Sequence, residues 1–94
     1  MSPKELDAAL RALAHHERRT LLLGCLDRRR SAGELAERST LAMATVSEHL
    51  KVLRKTGLVT VEKEGRFWFY RTDADRLSVV IAALSKFQGG IHGS

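Results

Sequence analysis

Residues 41 to 71, LAMATVSEHLKVLRKTGLVTVEKEGRFWFYR, decide how the rest of the chain is read. Val46, Leu50 and Leu53 recur at spacings of four and three, the apolar stripe of a helix expected over Ala42 to Thr56. At about 100° per residue the opposite face carries Ala44, Glu48, Lys51 and Lys55. Ser47 and Arg54 flank that face on one side, Thr45 and Val52 on the other, and His49 lies nearer the buried stripe. Gly57 is expected as a left-handed helix stop. Residues 58–63, LVTVEK, alternate apolar and polar as a half-buried strand does, and residues 67–72, FWFYRT, are dense in β-formers. Glu64, Gly65 and Arg66 turn between the two.

Outward from this stretch the chain reads as helices. Ser2, Pro3 and Glu5 form a capping-box start for a first helix that ends near Ala14, with Leu6, Ala9, Leu10 and Leu13 on one stripe. A second helix is expected from His16 to Asp27, with Leu21, Leu22, Cys25 and Leu26 on one face and Arg28, Arg29 and Arg30 completing its dipole. Ser31 and Glu34 cap a short third helix that ends near Arg38, and Ser39 and Thr40 turn into the fourth. A last helix is expected from Asp73, with Leu77, Val80, Ile81, Leu84 and Phe87 on one stripe and Gly89 and Gly90 as its stop. The order α-α-α-α-β-β-α is mainly α with a small β-hairpin. A tight turn between the third and fourth helices, followed by a basic hairpin, is the outline of a winged helix-turn-helix.

The 94 residues predict one domain, 1–94: helix-turn-helix at 31–56, wing at 58–72, flexible tail at 89–94. The net charge of +5 is concentrated in residues 39–71, where six Lys/Arg face three Asp/Glu. That bias suits a polyanionic partner. One cysteine excludes an intrachain disulfide, and the apolar runs are short and periodic, so no membrane partner is expected and the expected location is cytoplasmic. No phosphate loop, nucleophile motif or paired acids suggest an enzyme, and no cofactor is expected.

The runs LRALAHHERRTLLLGCL, GELAERSTLAMATVSEHLKVLRKTGLV and EGRFWFYR resemble the ArsR/SmtB family of bacterial transcriptional repressors over roughly residues 9–72. The resemblance implies a homodimer built from the first and last helices, bound to a near-palindromic operator in double-stranded DNA. The fourth helix would enter the major groove and each wing would reach along the flanking backbone. It also implies release by an inducer, whose identity the sequence leaves unknown. The metal-sensing members carry a cysteine segment where this chain has Arg30-Ser31-Ala32-Gly33-Glu34-Leu35, and Asp/His pairs on the last helix where it has Asp73 and Asp75 without histidine. His92 is expected in the tail. His15-His16 stands where the family has Asp-Pro, and Met43, Ala44 and Glu48 replace polar or basic groups. No metal site is therefore expected.

Base reading is assigned to Ala44, Thr45, Ser47, Glu48 and Lys51. Hydroxyls bond base edges or phosphates, Ala44 suits a thymine methyl, and Glu48 accepts from cytosine N4 while repelling phosphates. Phosphate contact is assigned to Ser39, Thr40, His49, Arg54, Lys55, Lys63, Arg66 and Arg71. The dimer interface is assigned to Leu6, Leu10, Leu13, Leu77, Val80, Ile81, Leu84 and Phe87. Phe67, Trp68, Phe69 and Tyr70 are expected to pack as core in preference to stacking on bases, and Cys25 is expected buried. The alternative function is a winged-helix module that docks a protein through the fourth helix or the wing.

Overall fold

The computed structural model describes residues 1–92. The element order is α1 (Pro3–Leu13), α2 (His16–Gly24), β1 (Arg30–Ser31), α3 (Ala32–Glu37), α4 (Met43–Lys55), β2 (Val59–Glu64), β3 (Phe67–Thr72) and α5 (Ala74–His92). Two capping boxes set helix starts. Ser2 Oγ accepts from the Glu5 amide at 3.1 Å and Glu5 returns a bond to the Ser2 amide. Ser31 and Glu34 repeat the arrangement at α3. Both carboxylates accept a backbone N–H, which holds the Glu5 carboxyl down at about 2 and lowers that of Glu34.

The end of α4 is a Schellman motif. The Leu58 amide donates to the Leu53 carbonyl at 2.9 Å and the Gly57 amide to the Arg54 carbonyl at 3.1 Å. Gly57 sits at φ 78°, where a side chain would be strained. Leu53 and Leu58, the pair this motif brings together, are both fully buried. One stripe of α4 (Val46, Leu50 and Leu53) joins Ala9, Ala12, Leu21, Leu22, Cys25, Leu35, Leu58, Val59 and Val80 in a single core. The buried face of α4 is thus the centre of the domain's packing.

The sheet has three antiparallel strands in the order β1-β3-β2, one more than the sequence reading. Arg30 and Ser31 pair with Tyr70 and Phe69 on the free edge of β3. The same segment explains why α2 stops at Gly24 and not Asp27. Cys25 leaves the helix at φ -125°, and the end of α2 is stitched to the end of β3. Thr72 Oγ1 donates to the Leu22 carbonyl at 2.7 Å, and the Thr72 amide donates to the Cys25 carbonyl at 3.0 Å. Cys25 is fully buried, 3.3 Å from Thr72 Oγ1, and burial pushes its thiol up from the ordinary value.

Two further expectations are corrected. α5 does not stop at Gly89-Gly90 but runs through them to His92, so residues 89–92 are helical. Residues 93–94 lie outside the described residues. The aromatics of β3 do not form the core. Phe67 and Trp68 are exposed, Phe69 and Tyr70 half-buried, and only Tyr70 packs against the core cluster. A three-stranded sheet this small has no second layer to cover one of its faces.

Candidate nucleic-acid interface

The helix-turn-helix is built by α3, the turn after it and α4. In the turn, Ser39 Oγ donates to the Ala36 carbonyl at 3.2 Å and accepts from the Leu41 amide at 3.1 Å. Ser39 is thereby spent on the turn, whereas Thr40 beside it is exposed. Ala42 is the N-cap of α4 and offers no side-chain cap, so the first-turn amides keep their donors, at the positive end of the helix dipole. Ala44, Thr45, Ser47, Glu48, Lys51, Arg54 and Lys55 are all exposed, and none of them takes part in an ion pair among the described residues.

His49 does not share that face. The helix turns it toward α2, where its Nδ1 accepts from Arg18 Nε at 3.2 Å and its Nε2 lies 3.6 Å from Glu17 Oε2. In this placement both ring nitrogens of His49 are turned to α2 side chains. The residue ties α4 to α2.

The hairpin turns at Gly65-Arg66, with Gly65 at φ 62°, the first central position, where a type II′ hairpin places glycine. Glu64 pairs with Phe67 and Lys63 with Trp68, which fixes the two faces of the wing. On one face lie Glu62, Glu64, Phe67 and Phe69. Arg29 spans it, bonded to Glu62 at 2.9 Å and to Glu64, with its guanidinium 4.5 Å from the Phe69 ring centre. Those carboxylates raise the Arg29 pKa further. On the other face lie Lys63, Trp68 and Tyr70. Lys63 Nζ is 4.3 Å and Arg54 Cζ 5.3 Å from the Trp68 ring centre. The wing's acids are therefore gathered on one face and paired with Arg29, with Arg66 at the turn 5.7 Å over the Phe67 ring on that same face, and Lys63 lies on the face toward α4.

Sequence reasoning missed both Arg29 and Trp68. The run Arg28-Arg29-Arg30 reads as a solvated helix end, because the partners of Arg29 lie more than thirty residues away. Strand alternation does carry the signal, since it puts Glu62 and Glu64 on one face and Lys63 on the other. Arg30 is also structural, its Nε donating to the Gly24 carbonyl at 2.7 Å. Lys63, Arg66 and Arg71 are exposed, as a phosphate-contacting role requires.

The expected interface residues divide. Val80 is buried in the domain's own core, while Leu6, Leu10, Leu13 and Leu77 pack partly against that core. Ile81, Leu84 and Phe87 are exposed, with Phe87 at 69%, an apolar stripe on the outer part of α5 with nothing among the described residues to cover it. Among the described residues no group of three or more His, Cys, Asp or Glu is gathered as metal ligands are, and no helix is long and apolar enough to cross a membrane.

The chain matches a helix-turn-helix domain family over residues 13–62. It is 35% identical over 77 residues to the transcriptional activator HlyU of Vibrio cholerae, covering 82% of this chain and 71% of that protein. It is 37% identical over 83 residues to the transcriptional repressor SmtB of Mycobacterium tuberculosis, covering 84% of this chain and 62% of that protein. An ArsR-like transcriptional regulator from Rhodococcus superposes with a TM-score of 0.85 at 27% identity, covering 95% of this chain and 84% of the other. A homodimeric winged helix-turn-helix DNA-binding domain from Mycobacterium bovis superposes with a TM-score of 0.75 at 21% identity, covering 97% and 85%, a likeness of fold.

Proposed function

Because the chain belongs to the ArsR/SmtB family of winged helix-turn-helix transcriptional regulators, we propose that it binds a near-palindromic operator in double-stranded DNA as a homodimer and represses the gene beside it. The observation that carries this reading is the alignment of two uncompensated surfaces. Ser47, Glu48, Lys51 and Arg54 of α4 border one cleft with Trp68 and Tyr70 of the wing, Lys63 lies over the Trp68 ring, and Glu62 and Glu64 are held on the far side. A polyanion meets hydroxyls, cations, the Trp68 indole and the single carboxylate of Glu48 there.

Ala44, Thr45, Ser47, Glu48 and Lys51 read bases in the major groove. Thr40, Arg54, Lys55, Lys63, Arg66 and Arg71 hold phosphates, which fixes register without reading sequence. Ile81, Leu84 and Phe87 of α5 meet their counterparts in the second subunit, with the outer edge of α1 beside them. That pairing sets two copies of α4 about one helical turn, roughly 34–36 Å, apart along the duplex. Repression follows where the occupied site overlaps a promoter; the named relatives include an activator as well as a repressor, and operator position relative to polymerase decides the sign. The cytoplasm is the compartment this work requires.

The test is fluorescence anisotropy with labelled duplex from upstream of the protein's own gene and with a scrambled duplex. If the dimer neutralises about six phosphates, affinity falls on the order of 10³-fold between about 50 and 200 mM salt. Binding at neither salt concentration removes the DNA reading. Binding with no preference for the upstream duplex removes the operator while leaving DNA contact.

A further inference from the structure

We propose that Trp68 is a DNA-contacting residue, its indole seated against the deoxyribose of the single backbone strand that runs between the recognition helix and the wing. The inference rests on the DNA-binding reading above and goes beyond its assigned contacts. When a helix occupies the major groove and a hairpin lies over the adjoining backbone or minor groove, one sugar-phosphate strand separates the two grooves. That strand has to pass through whatever space lies between helix and hairpin. Here the space is a cleft of about 320 Å³ lined by Ser47, Glu48, Lys51, Arg54, Trp68 and Tyr70.

The chemistry of the lining matches a sugar-phosphate strand. Lys51 and Arg54 come from α4, and Lys63 comes from β2 directly across from Trp68. These cations suit the phosphate, and Ser47 offers a hydroxyl. Trp68 is the largest apolar surface at the site and stays 41% exposed, although a tryptophan is costly to leave in water. Its neighbours explain how it is held. Lys63 Nζ at 4.3 Å and Arg54 Cζ at 5.3 Å from the ring centre are both within cation–π range. The indole thus joins the C-terminal half of α4 to the wing, with Arg54 lining the cleft and Lys63 over the ring beside it. Phe67 and Phe69 alternate onto the opposite face of the strand, with ring centres 6.5 Å apart, and take no part. The exposed indole and its two cations form a prepared platform: the sugar covers the ring while the phosphates on either side of it meet Arg54 and Lys63.

Trp68 is the only tryptophan in the chain, so its fluorescence reports this position alone. The experiment titrates the full chain with unlabelled upstream duplex and follows emission and iodide quenching. In parallel, anisotropy on labelled duplex measures affinity for wild type, W68F and W68A. The expected result is a change in emission and loss of iodide access on DNA binding, with W68A about tenfold weaker and W68F between the two, in keeping with aromatic contacts to nucleotides. If wild type binds DNA while Trp68 stays as open to iodide as in the free protein, and W68F and W68A bind as wild type does, Trp68 makes no contact and the proposal is overturned with the DNA reading intact. If wild type binds no DNA, both readings fall together. Should W68A lose its fold by circular dichroism, the quenching of wild type and the affinity of W68F still decide.

Discussion

Replacing Gly57 with Ala tests the joint between recognition helix and wing. Gly57 adopts φ 78°, a left-handed conformation that costs an L-residue about 1–2 kcal/mol. A Cβ placed there also meets Arg76, with Nε at 3.3 Å and Cδ and Cζ at 3.9 Å. Arg76 is not free to swing away at no cost: its NH2 group donates to Glu5 at 3.2 Å, which links α5 to α1. The expected loss for G57A is therefore about 1–2 kcal/mol or slightly more, and for a domain of this size about 1 kcal/mol lowers Tm by roughly 4–8 °C. Gly65 supplies the control. It has φ 62° but nothing within 4 Å of an added Cβ, so G65A carries the backbone cost alone. Thermal unfolding by circular dichroism at one fixed protein concentration gives both values, since a dimer's Tm depends on concentration. G57A should melt below G65A, and the gap should close when both are measured on an Arg76→Ala background. A G57A protein as stable as wild type would refute the left-handed stop. Equal losses for the two glycines, unchanged on removal of Arg76, would refute the steric part.

Two further outcomes follow from buried and paired groups. Burial raises the Cys25 thiol, so the native protein should react with a disulfide reagent far more slowly at pH 8 than the urea-unfolded chain, a ratio read by absorbance; equal rates would mean that Cys25 is accessible. Glu5 is held at about 2, first by the Ser2 amide and then by Arg76, against an ordinary 4.5. A depressed folded-state pKa gives stability that is present above about 4.5 and lost as pH falls toward 2. Glu5→Gln should therefore flatten the acid limb of a stability-versus-pH curve and change little between that limb and neutrality beyond a constant offset; an acid limb identical to wild type would show that Glu5 is not linked to folding.

The elements of this fold were legible where the signal is local. The two capping boxes, the Val46-Leu50-Leu53 stripe, the Gly57 stop and the wing turn at Gly65 each depend on residues within a few positions of one another, and each stands where the sequence puts it. Three of the misses share one physical cause, which is a partner distant in the chain. α2 ends early because Thr72 takes its last carbonyls, β1 exists because β3 has a free edge, and His49 faces inward because Arg18 is there to meet it.

The wing shows why this distinction matters for function. Composition counts Glu62 and Glu64 against Lys63 and Arg66 and finds a hairpin close to neutral, poorly suited to a polyanion. Strand pairing puts Glu62 and Glu64 on one face and Lys63 on the other, and Arg29, from a segment that reads as a solvated helix end, pairs with both carboxylates while Arg66 lies over Phe67 on their face. What remains toward α4 is Lys63, Trp68 and Arg54, a surface whose sign and apolar character appear only when helix, loop and hairpin are brought together. The same redistribution applies to α4 itself. His49 is turned to Arg18 and Glu48 is exposed among Ala44, Thr45, Ser47 and Lys51, so the outer face of α4 is more acidic at its centre than the helix's overall charge suggests.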